Sequence, residues 1–268
     1  MIKRILYSLF VIVMLCQACV SQGTVYASND MFQLSAPRLN VSAIFFESYT
    51  TLTINIDLAN SIVKYSLDGS AVNQNSKVYN TPLKLTESVV VKAKVFHPDY
   101  LESEEVQIEV VKIANKSAIK DIVLSTKPND RYPGSGSEGL MNLTKGSAQF
   151  GGDKQWMGFQ TDSISAILKL DKKLEISKVI LSTLTNQSNW IFAPGKIEVF
   201  HDGKLVGIGT YPKSDKETSN NATFLSVPLV KGTYDQLKVV VYPLKEIPEW
   251  HQGKGTSPWV FIDEIIIQ

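Results

Sequence analysis

The sequence predicts an all-β chain of two successive antiparallel sandwiches. Three observations carry that expectation. Apolar and polar residues alternate with a period of two along most of the 268 residues, turn dipeptides punctuate the alternation, and a polar break between Ala114 and Lys120 divides it into two series. A composition of 44% hydrophobic and 20% charged residues is that of a globular chain with room for two cores and excludes a disordered one.

The first element is a leader. Lys3 and Arg4 precede an apolar run from Ile5 to Leu15, which is too short to cross a bilayer and reads as a signal peptide over residues 1–27. Val25 and Ala27 suit a cut before Ser28, whereas Ala18-Cys19 suits a lipoprotein cut before Cys19, with Cys16 where a leucine is usual. Export to the cell surface or outer membrane, the periplasm or the medium follows in either case. The expected membrane contact is confined to a lipid anchor at Cys19. No cysteine follows Cys19, so the folded part is expected to hold without disulfides. Removing Lys3 and Arg4 leaves 25 basic against 26 acidic residues. That near-neutrality, with no basic stripe interleaved with aromatics, argues against nucleic acid and for neutral partners.

The first sandwich is expected over residues 32–113. Leu52, Ile54, Ile56 and Leu58 alternate with Thr51, Thr53, Asn55 and Asp57; Val63, Tyr65 and Leu67 follow and stop at the turn Asp68-Gly69; Val89, Val91, Ala93 and Val95, then Val106, Ile108 and Val110, complete the series. Short strands at this spacing predict an immunoglobulin-like sandwich, with Tyr65 and Tyr79 as core or cross-strand partners. The stretch Val63-Lys64-Tyr65-Ser66-Leu67-Asp68-Gly69-Ser70, with Lys77-Val78-Tyr79, Leu83-Lys84-Leu85 and Val89-Val90-Val91-Lys92-Ala93, resembles the small non-catalytic C-terminal domain of chitobiases and bacterial β-hexosaminidases. Where that family has a proline after Asp-Gly-Ser this chain has Val72, a departure expected to affect only a loop.

The second sandwich is expected over residues 120–268, with strands at Ile164 to Leu170, Leu174 to Leu184, Lys196 to Phe200, Leu237 to Val241 and Trp259 to Ile267. Long loops join them, notably Lys127 to Phe159 and Tyr242 to Pro258, and loops of that length are more often functional than idle. Lys213 to Asn221 reads as a polar surface loop. Four segments in order, Gly139-Leu140-Met141-Asn142 with Gly146, Trp156-Met157-Gly158-Phe159, Asn189 to Pro194, and Pro248-Glu249-Trp250-His251 running to Trp259 through Ile265, resemble the discoidin or coagulation factor 5/8 type C family. The resemblance implies a galactose-binding-like jelly roll of the kind used by many carbohydrate-binding modules. It also implies a structural calcium near the chain's end, held by Glu264 and by oxygens of the Gly139 to Gly146 loop. The family's loop aspartate falls at Asn142, so Asn142, Gly146 and Glu264 are the candidate ligands, with a merely hydrogen-bonded loop as the alternative.

Catalytic groups are not expected. Asp263 and Glu264 are the nearest approach to a glycosidase pair, yet neighbours on a regular strand point to opposite faces. His97, His201 and His251 lack zinc spacing, and the first two read as solvated loop residues. A sugar needs an aromatic face for the apolar side of its ring and a few polar groups for its hydroxyls. Trp250, with His251 and Gln252, is the leading contact; Trp156 and Trp190 are weighed between contact and core, with Asn189, Asn186, Gln187 and Gln160 as amides, and Trp259 reads as scaffold. A non-catalytic chain that docks a glycan or polysaccharide is the expectation. A structural or adhesive protein with a protein partner and a residual hydrolase of aminosugars are the alternatives.

Overall fold

A computed structural model describes residues 32–114, 118–212 and 221–268 of the chain. The leader, Cys16 and Cys19 lie outside those residues, as do 115–117 of the polar break and most of the Lys213 to Asn221 loop.

The first sandwich contains β1 (Arg38–Val41), β2 (Phe45–Phe46), β3 (Thr50–Asn55), β4 (Ile62–Ser66), β5 (Lys77–Val78), β6 (Leu83–Leu85), β7 (Val89–Phe96) and β8 (Val106–Lys112). They form a sheet of order β1-β3-β6 against one of order β2-β8-β7-β4-β5. The expected alternation is what builds the core, since Leu52, Ile54, Val63, Val91, Ala93, Val95 and Val110 are buried between the sheets. β3 stops at Asn55, however, and Leu58 beyond it is exposed. Tyr65 and Tyr79 meet edge to face, and the Tyr79 hydroxyl accepts the Ile54 N–H at 3.1 Å, which ties the two sheets together. Val72 does more than occupy a loop. It is buried, and its N–H donates to Glu105 at 2.8 Å, a bond that a proline could not make.

The second sandwich contains β9 (Ile119–Leu124), β10 (Met157–Phe159), β11 (Ile164–Glu175), β12 (Lys178–Thr185), β13 (Lys196–His201), β14 (Lys204–Thr210), β15 (Asn221–Pro228), β16 (Thr233–Tyr242) and β17 (Val260–Ile267). One sheet has the order β14-β13-β16-β11-β9 and the other β10-β17-β12-β15. The expected strand from Leu174 to Leu184 is divided, with Leu174 and Glu175 ending β11 and Lys178 opening β12. β9, β10, β14 and β15 were not anticipated from the sequence; β14 carries Gly207 and Gly209, which interrupt the alternation.

β17 lies between β10 and β12, and all of its residues are buried. Val260 and Ile262 enter the main core before Asp263, and Ile265 and Ile267 enter it after Glu264, so the parity of the strand changes in between. The cause is a β-bulge, where Ser182 pairs with Glu264 but Thr183 pairs with Ile262. One residue is inserted, and Asp263 and Glu264 consequently both fall on the face away from the core. The expectation that neighbouring carboxyls must diverge is corrected by that insertion.

The two sandwiches share an apolar cluster in which Phe45, Val111 and Ile113 of the first pack with Ile180 and Ile266 of the second, and Leu143 and Phe224 pack against its edge. The side-chain amide of Gln268 also donates to the Lys112 carbonyl. No described helix is long and apolar enough to cross a membrane.

Candidate functional site

β12 leads into a single 3-10 turn, Gln187–Asn189, and Trp190 closes it in the left-handed conformation with φ 60°. Such a φ is uncommon for a bulky residue and is held here by both backbone groups. The Trp190 N–H donates to Gln187 at 2.9 Å, and its carbonyl accepts from Trp259 at 2.8 Å. The indole is thereby turned out of the strand and laid on Gly253 of the long β16–β17 loop. A Cβ at that glycine would stand 2.0 Å from the indole nitrogen, so only glycine permits the approach. Trp190 remains 36% exposed, the largest side chain among the exposed apolar residues of this region.

His251 is the strut behind it. Its Nδ1 accepts the Gly253 N–H at 2.9 Å, which leaves Nε2 to donate to the Gln187 carbonyl at 2.9 Å. The imidazole is 8% exposed and touches three aromatic rings edge on, with centroids 5.4 Å from Trp190, 5.5 Å from Phe192 and 5.5 Å from Trp250. With both nitrogens engaged by backbone it joins two loops, and the expected hydroxyl contact at His251 is corrected to an anchoring role. Trp250 is half-buried in the same aromatic group, 6.4 Å from Phe192.

The expected amides divide. Asn189 and Gln252 are exposed beside the two indoles, whereas Asn186 and Gln187 are buried; the Asn186 Oδ1 accepts from Ser188 and from Asn189, which shapes the turn. Gln160 is exposed and donates to the Ser257 carbonyl at 3.0 Å. At the same end of the sandwich a groove is lined by Asp162, Lys196, Tyr242, Leu244 and Ser257. Lys196 and Tyr242 face each other at the ends of β13 and β16, and the Lys196 ammonium stands 4.1 Å from the Tyr242 ring centroid. Sequence reading missed this pairing because the two residues are brought together only by strand register.

Trp156 and Trp259 belong elsewhere. Trp156 is 1% exposed, and its Nε1 donates to the Ser147 carbonyl at 2.8 Å, so its expected place among sugar contacts is corrected to the core. Trp259 packs edge to face on Tyr132 at 5.4 Å. His97 at a β-bridge to Tyr100 and His201 at the end of β13 are half-buried, not solvated loop residues. The His97 Nδ1 accepts the Asp99 N–H, and the His201 Nδ1 contacts the Gln236 carbonyl.

The residues predicted for calcium surround the bulge in β17. Glu264 accepts the Leu143 N–H at 2.9 Å and Asp263 accepts the Gly146 N–H at 2.7 Å; both carboxyl groups are fully buried. The Lys145 ammonium meets the same Asp263 oxygen at 2.5 Å. Burial, with the Asp263 charge beside it, pushes the Glu264 carboxyl up to about 9. Asn142 is exposed and turned away, its Oδ1 accepting the Thr144 N–H and its Nδ2 donating to Gln155. Gly146 serves space, since a Cβ there would stand 2.5 Å from the Trp156 ring. Calcium requires six to eight oxygens. Of the three expected ligands only Glu264 directs a side-chain oxygen into the seam, and among the described residues no three acidic, histidine or cysteine side chains group to hold a metal. The three expected residues do not assemble a calcium site, and Asp263 Oδ1 and Glu264 Oε1 are left buried without a hydrogen-bond partner.

Residues 43–108 match the Chitobiase/beta-hexosaminidase C-terminal domain family. No curated protein sequence matches the chain. Among solved structures, a fragment of Clostridium perfringens ZmpB holding its CBM32-1 and CBM32-2 domains is similar at 10% identity and a TM-score of 0.36, over 57% of this chain; the chain spans only 35% of that fragment. The family 32 carbohydrate-binding module of Streptococcus pneumoniae EndoD is similar at 14% identity and a TM-score of 0.37, over 56% of this chain and 94% of that one. The SusE-like protein BT2857 is similar at 11% identity and a TM-score of 0.36, over 87% of this chain and 97% of that one.

Proposed function

We propose that this chain is an exported, non-catalytic carbohydrate-binding protein that docks a glycan through the loops carrying Trp190 and Trp250. The observation that carries the reading is the setting of Trp190. A large apolar ring is fixed on Gly253 by a left-handed backbone and braced by His251, yet stays partly open to solvent. A preset aromatic face loses little freedom on binding and suits the apolar side of a pyranose, while the amides of Asn189 and Gln252 beside it suit hydroxyls. The balance of 25 basic and 26 acidic residues beyond the leader favours a neutral ligand. The non-catalytic reading is supported by the burial of Asp263 and Glu264, which leaves that adjacent carboxyl pair unable to flank a glycosidic bond. Export rests on the basic and apolar character of residues 1–27, and a lipid anchor at Cys19 would hold the protein at a cell surface.

The test is retention of the purified chain on a broad glycan array and in polysaccharide-containing native gels. Retention of the unaltered protein, weakened about tenfold or more by Trp190→Ala with no change in fold, is the expected result. Silence across the array, together with capture of one protein partner in fixed stoichiometry, would replace the glycan reading by protein recognition.

A further inference from the structure

The failure of the calcium ligand set leaves a question that Lys145 answers. Two carboxyl groups side by side in the interior need a cation or strong donors to offset the cost of their desolvation. The bulge in β17 turns Asp263 and Glu264 to the same face, toward the Leu143 to Gly146 loop. That loop presents N–H groups, from Leu143 and Gly146, and such groups direct positive hydrogen atoms at the site where a metal ion would require lone pairs. Between those N–H groups the chain inserts an ammonium. The Lys145 side chain is 12% exposed, its Nζ is 2.5 Å from Asp263, and it lies 4.1 Å from the centroid of the Trp156 ring and 5.8 Å from that of Phe224. Held by a carboxylate and covered by an aromatic face, this ammonium offsets the Asp263 charge, while Asp263 Oδ1 and Glu264 Oε1 stay buried without a hydrogen-bond partner.

We propose that Lys145 is the resident cation of the second sandwich. It occupies the seam between β17 and the 139–146 loop where the resembling family is expected to hold calcium, and it pins the loop to the strand without a metal ion. The ammonium and a divalent ion oppose each other there, because their like charges would meet at the Asp263 carboxylate. Trp156 gains its role from the same arrangement. It is the lid over the ammonium, and Gly146 is small so that the lid can close. Leu143 of the same loop packs at the edge of the cluster shared by the two sandwiches, so the internal cation also braces the junction. This inference does not depend on the sugar site.

The experiment is thermal unfolding of the whole mature chain in EDTA and in millimolar calcium chloride, with calcium titrated by calorimetry, for the unaltered protein and for Lys145→Met and Lys145→Arg. The unaltered protein is expected to melt at one temperature in both solutions and to give no calcium isotherm. Lys145→Met keeps the stem and removes the charge, and its Tm should fall on the order of 10 °C, as for a broken buried pair. Lys145→Arg should recover part of that loss. A Tm of the unaltered protein that rises with calcium would overturn the proposal, as would Lys145→Met melting with the unaltered chain. Should Lys145→Met fail to fold, the calcium titration of the unaltered protein decides alone.

Discussion

Trp156 and Trp190 are placed by the same device and have opposite fates. Each indole lies against a glycine, Gly146 in one case and Gly253 in the other, and at each glycine a Cβ would collide with the ring. Trp156 is closed in, with Lys145 against its face and its N–H spent on the Ser147 carbonyl, and it is 1% exposed. Trp190 is seated from one side by Gly253 and His251 and is left 36% exposed. The lesson is that a glycine under a tryptophan marks a fixed ring but says nothing of its purpose. What lies over the other face separates a structural indole from one able to receive a ligand.

That contrast can be broken by mutation. The largest stability loss is expected for Trp156→Ala, about 3–5 kcal/mol from the cavity and the uncovered ammonium, read as the shift of the denaturant midpoint at unchanged m-value. A loss below about 1 kcal/mol would remove Trp156 from the core role. His251→Ala should come next, at roughly 2–3 kcal/mol, because it removes the acceptor of the Gly253 N–H and one of the two donors to the Gln187 carbonyl, and leaves a cavity among three aromatic rings. It should also weaken glycan retention by loosening the seat of Trp190, and retention unaltered in a folded His251→Ala protein would detach the strut from the site. Gly253→Ala should cost only about 1–2 kcal/mol, since the exposed indole can move aside, yet glycan retention should drop because the ring is no longer preset. Trp190→Ala is expected to change stability by less than about 1 kcal/mol while producing the largest loss of binding of the four. Equal stability losses for Trp156→Ala and Trp190→Ala would abolish the distinction.

The same two regions show how much of the site could be read in advance. The residue types and the two loops were legible in the sequence, since Trp190, Trp250, Asn189 and Gln252 stand in stretches of loop composition and do come together at one end of the second sandwich. The role of His251 was not, because a histidine in a polar loop reads as available until both of its nitrogens are found on backbone. Lys145 went unnoticed for a similar reason. Lysine in a loop reads as solvated, and nothing nearby in the sequence marks its partner Asp263, which lies 118 positions away.

By itself the sequence determined the all-β class, the division into two sandwiches and the inward faces of β3, β4, β7 and β16, because period-two alternation is a local property that a strand preserves wherever it is placed. Only the tertiary structure decided which tryptophan is covered, that Asp263 and Glu264 face the same way, and that the Lys145 ammonium reaches the Asp263 carboxylate. Those outcomes depend on a single inserted residue in β17 and on which loop passes over which ring, and both are relations between segments far apart in the chain.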